Sequence, residues 1–128
     1  MAHKKRSSRF VIPPLPKKCG DQTPDEILNL SRHPDPKERR RALHEMCPCQ
    51  TLAEVDMLWD RIIEMTDDED PIVRDQALHN LGDGSPKSLE YRILEVLEKR
   101  YNDKDKNVRK KARKMYTAYQ HNGKWNVL

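Results

Sequence analysis

One interval organises this chain: a pattern of residues returns every 35 positions. Asp stands at 35, 70 and 105, Arg at 39, 74 and 109, and Ala at 42, 77 and 112. A large apolar or aromatic side chain follows at Met46, Leu81 and Tyr116. Upstream, Ile27-Leu28-Asn29-Leu30 matches Ile62-Ile63-Glu64-Met65 and, more weakly, Leu97-Glu98-Lys99-Arg100. A period of this length is the signature of stacked units, each burying its apolar face only against its neighbours. It argues against one deep, spherical core.

Each unit reads as a helical hairpin. The recurrent Asp is an N-cap residue, whose carboxylate accepts from backbone N–H groups that the first turn leaves unpaired. Pro36 and Pro71 follow at the first helical position, where a missing N–H costs nothing. Val73, Ala77, Leu78 and Leu81 then fall on one face of a helix. The first helix of the middle unit is predicted over Leu52 to Met65, and that of the third over Pro86 to Tyr101. The first unit starts after Thr23, which forms a capping-box pattern with Glu26. Breaks are expected at Cys47-Pro48-Cys49 and at Gly82-Asp83-Gly84-Ser85-Pro86. No segment alternates with the period of two that a strand requires.

The repeat accounts for an otherwise unpromising composition. Of 128 residues, 36% are charged and 35% hydrophobic. The charged share exceeds the roughly 25% usual for globular domains. Without a pattern such a chain reads as disordered, but in a stack every residue lies close to solvent and the charge is tolerable. No stretch approaches the roughly 18 apolar residues of a membrane-spanning helix. Three cysteines, Cys19, Cys47 and Cys49, are too few for a disulfide framework, and no secretory signal is evident, so a cytoplasmic protein is expected. The chain divides into a basic, Pro-rich arm over 1–20 and a repeat domain over 21–128. Its units lie at about 23–48, 49–83 and 84–120, with a C-terminal cap at 121–128 in which Trp125, Val127 and Leu128 supply a lid.

The segment Asp70-Pro71-Ile72-Val73-Arg74-Asp75-Gln76-Ala77 resembles the core of a HEAT repeat, in particular the short bacterial type related to phycocyanobilin-lyase repeats. The likeness spans about residues 23–120. The first unit departs from it with Glu38 in place of Val, and the third with Lys106 in place of Pro. The resemblance implies an all-α solenoid of three helical hairpins wound as a right-handed superhelix, with second helices lining a concave surface. It also implies a ladder between neighbouring units, in which Asp35, Asp70 and Asp105 pair with Arg39, Arg74 and Arg109. Of function it implies little, because the family holds scaffolds, nucleic-acid binders and a few enzymes.

Charge is distributed unevenly. Residues 1–20 and 103–128 each carry +6, whereas 21–66 and 67–102 each carry −4. Removing core positions from the second helices leaves five sets expected to be exposed. These are Lys37/Ile72/Asn107, Arg40/Asp75/Lys110, Arg41/Gln76/Lys111, His44/His79/Lys114 and Glu45/Asn80/Met115. The first helices, with Glu54, Asp56, Asp60, Glu64, Glu90, Glu95 and Glu98, are mostly acidic. Lys37, Arg40, Arg41, His44, His79, Lys110, Lys111 and Lys114 therefore form a basic stripe suited to a protein with an acidic surface. Nucleic acid is the alternative partner, although no aromatic residue is interleaved with these cations as single-strand stacking requires. The same charges also serve as an ordinary solvated helix face.

Catalysis and cofactors are not expected. His44, Cys47 and Cys49, with Cys19 and His33 elsewhere, do not match zinc-ligand spacing, so no metal is assigned. His44-Glu45 stands alone, its equivalents being His79-Asn80 and Lys114-Met115, too few ligands for a di-iron site. No converging set of titratable groups marks an enzyme. The expected function is a non-enzymatic scaffold or adaptor.

Overall fold

A computed structural model describes residues 22–46 and 56–128, and among them it is all-helical. The described helices are α1 (Pro24–Leu30), α2 (Pro36–Glu45), α3 (Asp56–Met65), α4 (Pro71–Gly82), α5 (Glu90–Arg100) and α6 (Lys106–Asn122). The arm over 1–20, Cys19, Cys47, Cys49, Leu52, Glu54 and Val55 lie outside the described residues.

Local chemistry starts each second helix. The Lys37 N–H donates to Asp35 Oδ1, and the Ile72 N–H to Asp70 Oδ1, both at 3.0 Å. The Val108 N–H donates to Asp105 Oδ2 at the same distance. At α1 the Thr23 hydroxyl accepts from the Glu26 N–H, and the Glu26 carboxylate accepts from the Thr23 N–H, completing the capping box. The third unit differs from expectation. Pro86 and Leu89 offer no side-chain cap, and the chain enters α5 through a 3₁₀ turn, Lys87–Leu89, with the Leu89 N–H on the Pro86 carbonyl. Tight i→i+3 bonding satisfies terminal groups that no side chain reaches.

Packing follows the period. Each first helix meets its own second helix: α1 with α2, α3 with α4, α5 with α6. The second helices also touch in order, α2 on α4 and α4 on α6, as do α1 on α3 and α3 on α5. Between these two rows lie Ile27, Leu43, Leu58, Ile62, Val73, Leu78, Ile93, Leu97 and Val108, each at most 1% exposed. Truncating one such Leu to Ala costs about 2–5 kcal/mol. Ala42, Ala77 and Ala112 are fully buried, so no larger side chain fits there without displacing the core.

Helix α6 ends at Gly123, whose φ of 73° is the left-handed cap that favours glycine. The chain then folds back. Trp125 is buried and donates from Nε1 to Ser85 Oγ at 2.7 Å, and the Ser85 hydroxyl donates to the Leu81 carbonyl. The Leu128 N–H donates to the Gly82 carbonyl at 2.9 Å. Gly82 is the last residue of α4 rather than part of the turn. A Cβ there would sit 2.7 Å from Leu128 Cγ, so the glycine serves close approach.

Candidate functional site

Two of the recurrent arginines link neighbouring units, and their partners differ from those the HEAT resemblance implies. Asp35, Asp70 and Asp105 cap their own helices. Arg39 instead closes on Asp68 of the next unit, Nε to Oδ2 at 2.9 Å and Nη2 to Oδ1 at 3.0 Å. Arg74 closes on Asp103 in the same way, at 3.0 and 2.8 Å. The same carboxylates also accept the Asp70 and Asp105 N–H groups. Each Arg Nη1 donates to two carbonyls of its own unit: His33 and Pro34, Asp68 and Glu69, Asp103 and Lys104. Asp70 and Asp105 use their carboxylates on their own helix N-termini, and the residue two positions earlier, Asp68 or Asp103, turns toward the preceding unit. Asp68 and Asp103 are themselves 35 residues apart, a signal present in the sequence but obscured because His33 holds the first position.

Burial makes this ladder electrostatically tight. Desolvation pushes the Asp103 carboxyl up, but hydrogen bonds from Arg74 and from the Asp105 N–H, with the charges of Arg74 and Arg100, hold it below the usual carboxylate range. Arg74 is raised above its ordinary value chiefly by the hydrogen bond to Asp103. A further link has no counterpart in the repeat pattern: Arg61 of α3 donates to both the hydroxyl and the carbonyl of Ser31, at the end of α1. Burial lowers its pKa, opposed by Glu64.

On the outward side of the second helices, Lys37, Arg40, Arg41 and His44 of α2 are exposed, as are Lys110 and Lys114 of α6. His79 of α4 and Lys111 of α6 are partly covered. Two of these cations are engaged: Arg41 with Glu38 at 2.8 Å, and Lys111 with Asp75 across the α4–α6 contact at 2.9 Å. Among the described residues no carboxylate pairs with Lys37, Arg40, Lys110 or Lys114.

The structure brings only part of the expected stripe together. Lys110, Lys111 and Lys114 share an open groove of about 790 Å³ with Asn107, Arg113, Thr117, Ala118 and Leu128. The α2 cations do not line it. The expected exposed set Glu45/Asn80/Met115 is instead buried, at 5%, 1% and 0% exposure. Each lies three residues after a repeat alanine. The Asn80 amide donates to the Leu43 carbonyl at 2.7 Å and Gln76 donates to Asn80 Oδ1. Helix periodicity shows which way a side chain leaves its own helix, not how wide a stripe the neighbour covers.

The first helices carry the opposite charge. Asp56, Asp60, Glu64, Glu95 and Glu98 are exposed there, and a groove between α3 and α5 is lined by Glu64, Asp67, Glu95 and Glu98 beside Arg92 and Lys99. Glu90 is partly covered, accepting from the Tyr119 hydroxyl, whose pKa this bond raises. His33 Nδ1 accepts from the Asp35 N–H. Among the described residues no group of three or more His, Cys, Asp or Glu is placed to hold a metal ion. No described helix is long and apolar enough to cross a membrane. No family model, curated protein or solved structure matches the chain.

Proposed function

We propose that this protein is a non-enzymatic adaptor, a HEAT-like solenoid whose second helices present a basic surface to an acidic protein partner. The observation that carries the reading is the groove in which Lys110 and Lys114 stand without carboxylate partners among the described residues, beside the apolar surface of Ala118 and Leu128. Unpaired ammonium groups attract carboxylates and steer their approach, and the apolar floor contributes area that charge alone does not supply. The acidic first-helix side repels the same ligand, so docking is directed to one side. The right-handed winding, the concavity of the second-helix row and work in the cytoplasm belong to this proposal.

The test is binding of a poly-glutamate peptide to the full chain, compared with a Lys110→Glu, Lys111→Glu, Lys114→Glu variant of unchanged helicity. Loss of binding in the variant supports the reading, and retained binding removes the groove from it. Duplex and single-stranded nucleic acid are measured alongside. Tighter binding to either, falling steeply with salt, would replace the protein partner by a nucleic acid.

A further inference from the structure

The arginine ladder has a third member whose binding edge is empty. Arg109 Nη1 donates to the Asp103 and Lys104 carbonyls at 2.9 and 3.1 Å, the same anchoring that holds Arg39 and Arg74. In those two residues Nε and Nη2 then grip a carboxylate of the next unit. In Arg109 neither atom has an acceptor among the described residues. We infer that Arg109 is a docking point for an aspartate of another protein, presented in an Asp-x-Asp turn at the start of a helix.

The chemistry of the occupant is read from the two internal complexes. Asp68 and Asp103 each accept two parallel guanidinium bonds while accepting the N–H of an aspartate two residues on, which itself caps a helix. A planar fork matches two oxygens of a carboxylate in that geometry, and the paired N–H of the capping aspartate distinguishes this turn from a phosphate group. The surrounding face is also altered for a polar visitor. Where Leu43 and Leu78 are fully buried against a neighbour, the third unit has Arg113, exposed and lying 4.6 Å over the Tyr101 ring. Arg113 donates to the Tyr101 carbonyl and to Asn102, so it adds positive charge beside Arg109. A second copy of this chain does not fit: at the position of Asp68 and Asp103 its first unit has His33, whose Nδ1 already accepts from Asp35. Arg109 itself does not line the lysine groove, although Arg113 stands at the edge of both.

A synthetic peptide of residues 66–80 carries Asp68 in its own turn and serves as the probe. Titrated into the isotopically labelled full chain, it is expected to shift the Arg109 Nε–H resonance saturably. The peptide with Asp68→Asn should bind about tenfold more weakly, as should the protein with Arg109→Lys, because neither retains the fork-to-carboxylate match. A neutral groove variant, Lys110→Gln, Lys111→Gln, Lys114→Gln, which leaves Arg109 and Arg113 in place, should lose poly-glutamate binding and still show the Arg109 shift, which separates failure here from failure of the groove. Equal shifts with the unmodified peptide and its Asp68→Asn form, or no shift, would overturn the inference. A shift produced by raising protein concentration alone would also overturn it, since the occupant would then be a second copy.

Discussion

Arg74 reaches 29 residues along the chain to Asp103 and holds it with two parallel bonds of 3.0 and 2.8 Å. The carboxylate side chain is only 2% exposed. Burial costs both ions much of their hydration, so the pair is a stronger determinant of spacing between units than of net stability. Breaking it is another matter, because the surviving charge is left without its partner.

Asp103→Asn is therefore expected to lower unfolding free energy by about 3 kcal/mol at neutral pH, with Arg74 and Arg100 losing a buried partner. The pH dependence has a definite sign. The folded-state pKa of Asp103 is depressed, so its contribution is fully present above the unfolded value and is lost as pH falls through the folded one. Denaturant unfolding below about pH 4 should show wild type and variant converging. A gap that stays constant on acidification would contradict the assignment.

Ala77 of α4 is fully buried in the core. Ala77→Asp should cost several kcal/mol and leave no cooperative melt at ambient temperature, since the charge has neither room nor partner. Lys114→Ala, on the exposed side of α6, should change stability by less than about 0.5 kcal/mol. Thermal melts of both variants check the register of the repeat in one comparison.

Asp75 ties Lys111 across α4 and α6 in a pair that is about one-third exposed on each side. Such a pair contributes under about 1 kcal/mol to stability. Asp75→Ala frees Lys111 and removes a carboxylate from the basic side, so poly-glutamate should bind roughly two- to fivefold more tightly. Calorimetric titration at low salt measures this, and weaker binding in the variant would count against the groove.

Trp125, only 2% exposed, closes the C-terminal fold-back with its ring N–H on Ser85. Trp125→Ala should cost about 3–5 kcal/mol through lost packing. Trp125→Phe retains most of the apolar area and loses one hydrogen bond, for about 1 kcal/mol. Urea denaturation of the two variants separates packing from hydrogen bonding, and equal losses would show that the bond rather than the ring holds the segment.

Much of the local architecture was legible in the chain. The Asp at 35, 70 and 105 start α2, α4 and α6 because an N-cap acts within three residues of itself. Thr23 and Glu26 form their box for the same reason. Ala42, Ala77 and Ala112 are buried because a helix places residues on a face by its own pitch. The acidic side of the first helices and the exposed cations of α2 and α6 follow from that same pitch.

Contacts between units were a different matter. That Arg39 and Arg74 take Asp68 and Asp103 rather than the capping aspartates depends on the offset between adjacent hairpins. So does the burial of Glu45, Asn80 and Met115, and the seating of Leu128 on Gly82 beside the lysines. Helical pitch and end-capping are short-range and can be read residue by residue. The offset is the joint outcome of side-chain volumes and loop paths from segments some thirty residues apart, and it exists only once those segments are packed.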